Sequence, residues 1–352
     1  MNKVKRALSL FMVLLMAVGL LFTTGCSKEE GPADKLVVTV GDNKIYLSEM
    51  MYYIYAMELE GDYYNQMYQA YGTNYWDMEY TEGIPMRDMI KQYVMDTAIL
   101  YEILYDKAVA AGETLTAEEE TTIKTNAEQV LSELTDEQQI ITGLDNDNLL
   151  KLQEKLVLGQ KYYEKLVAAY DIDEQAIQDG INYDEYRQYD TEFLFIPTIS
   201  YDEEYNEVAL TEDEKATAYS SMTTALDKVK AGEEFASVAE GDETLTNSTS
   251  NFIYGDTTVE SAYQEAAISL KNNEVASDII ETESGYYIIK MNNNNSSESY
   301  DTAVANAISE AENDAFAAEY EVIKEDYPTT INTEVWDTII IGETVIQSAD
   351  ES

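Results

Sequence analysis

Asn272-Asn-Glu-Val-Ala-Ser-Asp-Ile-Ile-Glu-Thr-Glu-Ser-Gly-Tyr-Tyr-Ile-Ile-Lys290 reads as a short strand, a Ser-Gly turn and a second strand. Val275, Ile279, Ile280, Tyr286, Ile288 and Ile289 supply the β-branched and aromatic side chains that strands favour. Upstream lies an amphipathic helix with Ala218, Met222, Ala225, Leu226 and Val229 on one face. A lone strand at Tyr189–Ile196, closed by Pro197, precedes it. Most of the chain before that strand carries helical periodicity, and so does the segment after residue 300. The expected fold class is therefore α+β: a small α/β module set inside a mostly helical body.

The 352 residues leave room for two domains. Lys and Arg total 21 against 69 acidic residues, a formal net charge of −48. That charge argues against nucleic acid and anionic lipid as direct ligands of the body. It suits solubility, and it also suits attraction of cationic unfolded chains or divalent cations. The chain contains no histidine, which excludes His-based triads and ordinary zinc sites. Carboxylate chemistry such as Ca²⁺ binding is not excluded by composition. The run Asp145-Asn-Asp-Asn148 invites a Ca²⁺-loop reading, but Leu150 and Leu156 stand where such a loop needs Gly and Glu, so helix capping is the expected role. No cofactor is expected.

Residues 1–25 read as a signal peptide. Lys3, Lys5 and Arg6 make a basic start, Ala7 to Phe22 is uncharged and apolar, and Thr23-Thr24-Gly25 precedes the single cysteine, Cys26. The ending resembles the lipobox of bacterial lipoproteins, with Thr23 where Leu is usual; an uncleaved anchor helix is the competing reading. The resemblance implies lipid on Cys26, a tether over 26–34 and a body on the outer face of the cell membrane of a Gram-positive-type bacterium.

Lys35–Val40 is expected as a strand, with a return over Lys44–Leu47. Ser48 is expected to cap a helix to about Gln69. An aromatic loop over 71–84 leads to a helix over Pro85–Ala111 that Gly112 stops. Thr116 with Glu119 and Thr211 with Glu214 form capping boxes. Asp145 or Asn146 and then Asp171 or Asp173 open further helices, the last to about Tyr186. Residues 241–251 are expected as a polar loop, Phe252–Tyr254 as a brief strand and 260–270 as a helix. Asn292–Ser299 is expected as a linker, Thr302–Asp326 as a helix and Thr333–Ile341 as an extended segment.

Three motifs resemble the parvulin (PpiC-like) rotamase domain: Lys230-Ala-Gly-Glu-Glu-Phe235, Tyr263–Leu270, and Asn273-Glu-Val through Gly285-Tyr-Tyr-Ile-Ile-Lys290. The element order β-α-α-β-α-β-β matches as well. Val38-Thr-Val-Gly-Asp-Asn-Lys-Ile-Tyr-Leu-Ser-Glu49 resembles the opening of PrsA/SurA-type foldases. The resemblance implies a helical chaperone-like domain over 35–187, an inserted parvulin-like domain over 188–292, and a segment over 300–341, with Trp336, that returns to the helical domain before an acidic tail at 342–352.

The resemblance also implies a peptidyl-prolyl isomerase, but Phe193 and Tyr287 stand where the family keeps histidines. Weak or absent turnover is expected. Tyr254, Val259, Tyr263 and Tyr287 map to the proline pocket, with plain core packing as the alternative. The tyrosines and methionines around Tyr52–Tyr71 are too dense to be all buried and could meet unfolded chains. The implied function is a lipid-anchored foldase for unfolded exported polypeptides, touching the membrane only through its anchor. The alternative classes are an adaptor for one folded partner and a cation-buffering lipoprotein. Self-association into a homodimer is left open.

Overall fold

The computed structural model describes residues 35–81, 83–202 and 206–345. The expected signal peptide, Cys26 and most of the acidic tail lie outside these residues. In chain order the elements are β1 (Leu36–Val40), β2 (Asn43–Tyr46), α1 (Leu47–Gln69), a 3₁₀ turn at Tyr75–Asp77, β3 (Glu79–Thr81), β4 (Ile84–Pro85), α2 (Met86–Ala110), α3 (Ala117–Glu133), α4 (Asp136–Thr142) and α5 (Asn146–Val167). Then come α6 (Glu174–Gly180), α7 (Tyr183–Tyr186), β5 (Gln188–Pro197), β6 (Ile199–Tyr201), β7 (Glu207–Ala209), α8 (Glu212–Lys230), α9 (Phe235–Glu240), β8 (Thr246–Ile253) and α10 (Ser261–Ile268). The chain finishes with β9 (Ile280–Glu281), β10 (Gly285–Ser296), α11 (Glu298–Lys324), β11 (Thr329–Ile331) and α12 (Thr333–Trp336). The fold is α+β, with two compact units: Met1–Asp171 joined by Ala311–Ser352, and Ile172–Glu310.

The helical unit is built from both flanks. β1 pairs antiparallel with β2 and, on its other side, with β11, Val38 opposite Ile331. Asn332 ties the join further, donating from its side chain to the Leu36 carbonyl at 2.9 Å and from its backbone to Val37 at 2.7 Å. Val38, Val40, Ile45, Met50, Ile54, Val94, Ile103, Leu149 and Trp336 share one core. Three charges, two of them buried, cross it: Lys155 donates to Glu49 at 2.7 Å and also to buried Glu102, linking α5 to α1 and α2. Burial lowers the Lys155 pKa, but the two carboxylates overcome this and hold it above its usual value. Burial raises the Glu49 pKa despite Lys155 beside it.

Trp76 shows how closely this unit is packed. A Cβ on Gly61 would sit 2.0 Å from its ring and one on Gly342 would sit 2.6 Å from it, so both positions need a bare backbone. Glu58, fully buried on α1, accepts backbone hydrogen bonds from Gly342, Thr344 and Val345 at 2.8, 3.1 and 2.6 Å, fixing the chain after α12.

The second unit is a four-stranded antiparallel sheet, order β8-β5-β10-β9. The register Leu194↔Ile288 and Phe193↔Ile289 sends alternate residues to opposite faces. Leu194, Ile196, Tyr286 and Ile288 pack with Met222, Leu226, Phe235 and Val238 of α8 and α9. Phe193, Tyr287, Ile289 and Met291 pack with Tyr263 and Ala267 of α10. The unit begins at Ile172, before the boundary at 188 expected from sequence, because Tyr300 donates to Gln178 and the Tyr183 and Tyr300 rings lie 5.1 Å apart.

Several local expectations differ from the structure. Ser48 lies buried inside α1, whose N-cap is Tyr46 with no side-chain bond. The polar stretch Thr246–Asn251 is strand, not loop, because β5 pairs with it throughout and its edge position leaves the outer side in water. Asn292–Ser296 continues β10, with two register shifts against β5, and is not a linker. The last strand is Thr329–Ile331, and Thr333–Trp336 is helical. The helix expected to run to Tyr186 breaks into α6 and α7.

Candidate functional site

The candidate site lies on the α10 face of the sheet. β5 supplies Phe193 and Phe195, β10 supplies Tyr287, and α10 supplies Tyr263. The Tyr263 ring meets Tyr287 edge-on at 5.0 Å and Phe193 at 5.9 Å, while Phe193 and Tyr287 lie 5.4 Å apart. Phe195 closes on Tyr287 at 4.5 Å. Val259 packs against the same cluster. Of the four residues mapped to a proline pocket, Val259, Tyr263 and Tyr287 thus come together. Tyr254 does not join them: it is 57 % exposed, beyond the end of β8.

Hydroxyls supply the polar chemistry. Tyr263 is 3 % exposed, and its hydroxyl lies 2.7 Å from Thr191 Oγ1. Thr191 donates its own hydrogen to the Ser250 carbonyl at 2.9 Å, so Tyr263 is the donor in that pair. Burial pushes the Tyr263 pKa well up. The Tyr287 hydroxyl is half-buried and 3.4 Å from Ser284 Oγ, and burial raises its pKa too, with the Glu260 charge adding to the rise. Glu260 in turn accepts from the Ser284 backbone at 3.0 Å and from its hydroxyl at 2.7 Å.

Glu260 and Ser284 were not singled out from sequence. Ser284 belongs to the recognised Ser-Gly turn, but its link to Glu260 joins distant positions and leaves no local signal. Gly285 is required where it stands, since a Cβ there would sit 2.2 Å from the Ile196 carbonyl. Gln264 braces the loop before α10, accepting from Gly255 at 2.7 Å and donating to Val259 at 2.6 Å.

The arrangement offers a packed cluster of rings, one half-buried hydroxyl, and a carboxylate that orients a serine. It offers neither an imidazole nor, among the described residues, a group of side chains able to hold a metal. It has few donors to favour a twisted amide over a planar one, where the barrier is about 18–20 kcal/mol.

Residues 199–293 match the rotamase family described as PPIC-type PPIASE domain. The match begins after β5, so it includes Tyr263 and Tyr287 but not Phe193. No curated protein matches the chain. Among solved structures, PrsA from Bacillus subtilis is similar at 17% identity, over 69% of this chain and 87% of that one, with a TM-score of 0.22. The foldase PrsA from Streptococcus pneumoniae is similar at 16% identity over 71% and 92%, TM-score 0.30. One of two SurA-like chaperones of Campylobacter jejuni aligns at 8% identity over 85% and 99%, TM-score 0.32. What the comparisons show is that residues 199–293 match a rotamase domain of the PPIC type.

Proposed function

We propose that the chain is a lipid-anchored extracytoplasmic folding factor. Its helical unit holds unfolded exported polypeptides, and its rotamase-type unit turns over weakly or not at all. The observation that carries the second half is the Phe193–Tyr263–Tyr287 ring cluster. Rings occupy the positions that the parvulin resemblance assigns to histidines, and the Tyr263 hydroxyl is already committed to Thr191. The holding role is supported by the exposed tyrosines and methionine on α1. Lipid attachment at Cys26 is supported by its basic, apolar and small-residue leader.

A proline-isomerisation assay with the full chain should give little acceleration over the uncatalysed rate. Turnover comparable to a histidine-containing parvulin, abolished by Tyr263→Ala, would overturn the inactive reading. Several unrelated unfolded clients should aggregate less in its presence at moderate salt; protection of none, or of one folded partner alone, would overturn the holding reading. Labelled fatty acid should enter the wild-type chain in cells and not the Cys26→Ala variant.

A further inference from the structure

We propose that the C-terminal half of α1 is a docking face for cationic extended segments, Lys- or Arg-bearing stretches of unfolded chain. This rests on the holding role above and names which segments are held. Glu60, Tyr63, Tyr64, Met67, Tyr68 and Tyr71 recur at spacings of three and four, so they share one side of the helix and its first turn beyond. The earlier tyrosines Tyr52, Tyr53 and Tyr55 are buried, whereas Tyr63 is 70 % and Tyr71 82 % exposed.

Tyr64 and Tyr68 are held in place. Tyr75 stacks on Tyr64 at 5.6 Å and 27° and on Tyr68 at 6.2 Å and 18°. Its backbone N–H donates to Asn65 Oδ1 at 3.1 Å, and Asn65 is buried on α1. The result is a positioned aromatic platform whose side-chain order does not have to be created on binding.

The charges on the stripe itself have one sign, and Arg87, which reaches the neighbouring turn, is paired with Asp77 and Glu343. No Lys or Arg lies between Lys44 and Arg87, while Glu60 and Asp62 stand on or beside the stripe. Aromatic faces attract cations, and low-dielectric ring surfaces beside carboxylates strengthen that preference. The protein's own cations go elsewhere: its cation–ring contacts among the described residues fall on Trp336, Tyr327, Tyr189, Phe235 and Tyr320. A net charge of −48 repels acidic segments and nucleic acid. The stripe from Glu60 to Tyr71 is about 16 Å long, the span of about five residues of extended chain. Alternating basic and apolar side chains on such a segment would meet ring faces and Met67 in turn.

The test uses the full chain and two labelled unstructured peptides of equal length and leucine content. One carries Lys and Arg at alternate positions, and the other carries Gln and Ser there. The basic peptide should bind about tenfold more tightly by fluorescence anisotropy. Tyr63→Ala with Tyr71→Ala, both at exposed positions, should remove that preference while the circular dichroism stays unchanged. Glu60→Gln with Asp62→Asn should weaken it more than Glu118→Gln with Glu120→Gln, which removes the same charge from α3. Equal binding of the two peptides, or equal weakening by the two charge variants, overturns the proposal. If unfolded clients are still protected in that case, only this proposal falls. If neither peptide binds and clients aggregate, the holding role falls with it.

Discussion

The Tyr263 hydroxyl is a donor to Thr191, and Thr191 donates onward to the Ser250 carbonyl, so the chain of bonds has a direction. Tyr263→Phe removes the first donor and leaves Thr191 partnered, which should cost about 1 kcal/mol. Thr191→Val strands the buried Tyr263 hydroxyl and should cost more, about 1–3 kcal/mol. Urea unfolding of the two variants checks the order; the reverse order would show that the bond runs the other way. Burial also raises the pKa of Tyr263, that of Tyr53, whose hydroxyl is buried without a partner among the described residues, and that of Tyr101 to about 12. In the unfolded chain tyrosines ionise near pH 10. The folded chain keeps these protons longer, so their contribution is complete below about pH 10 and is lost as pH rises through the folded values. The urea midpoint should fall from about pH 10 upward, with tyrosinate absorbance appearing together with unfolding. Absorbance that titrates fully while the fold persists would contradict this.

Elements stand or fall with their partners, and the Lys155 contacts join three of them. Lys155→Met leaves Glu49 and Glu102 facing each other in the core and should destabilise by about 3–5 kcal/mol. Adding Glu49→Gln and Glu102→Leu should restore most of that loss, because no uncompensated charge remains. Thermal unfolding of the single and triple variants decides it: a triple variant no better than the single would mean that the charges themselves hold the helices. Partnership also explains what could be read from sequence. The capping boxes Thr116–Glu119 and Thr211–Glu214 were legible because both halves sit within one turn. The 272–290 hairpin was legible in outline, although its first half joins β10 not as one strand but through Asn273–Ala276 and then Ile280–Glu281. Asn292–Ser296 was not legible, since only pairing with β5 makes four asparagines a strand. Trp76 between Gly61 and Gly342 was not legible either, because nothing local marks a ring that two distant backbones enclose. In the candidate site, Tyr263 and Tyr287 are mapped through motif alignment, while Thr191, Glu260 and Ser284 come together only when the strands are assembled.

For the whole molecule, the two flanks of the chain make one unit. The second half of α11 brings Phe316 against Leu100, Leu104 and Tyr163, and Tyr170 donates to Glu319 at 2.7 Å. β11 then completes the sheet that β1 begins. Deleting residues 327–352 should therefore strip hydrogen-exchange protection from β1, β2 and α1, far from the cut in sequence. Protection that survives there would show that β1 and α1 hold without their distant partners.

The β1–β11 ladder sets an order in time. β1 is made before the whole sheet unit and waits for β11, made after it, and until then Val38 and Val40 lack their ladder partners. The central sheet unit uses only residues between these flanks, so it can close while the rest is still being delivered. A protein whose proposed task is to protect unfinished chains is itself unfinished until β11 has been made.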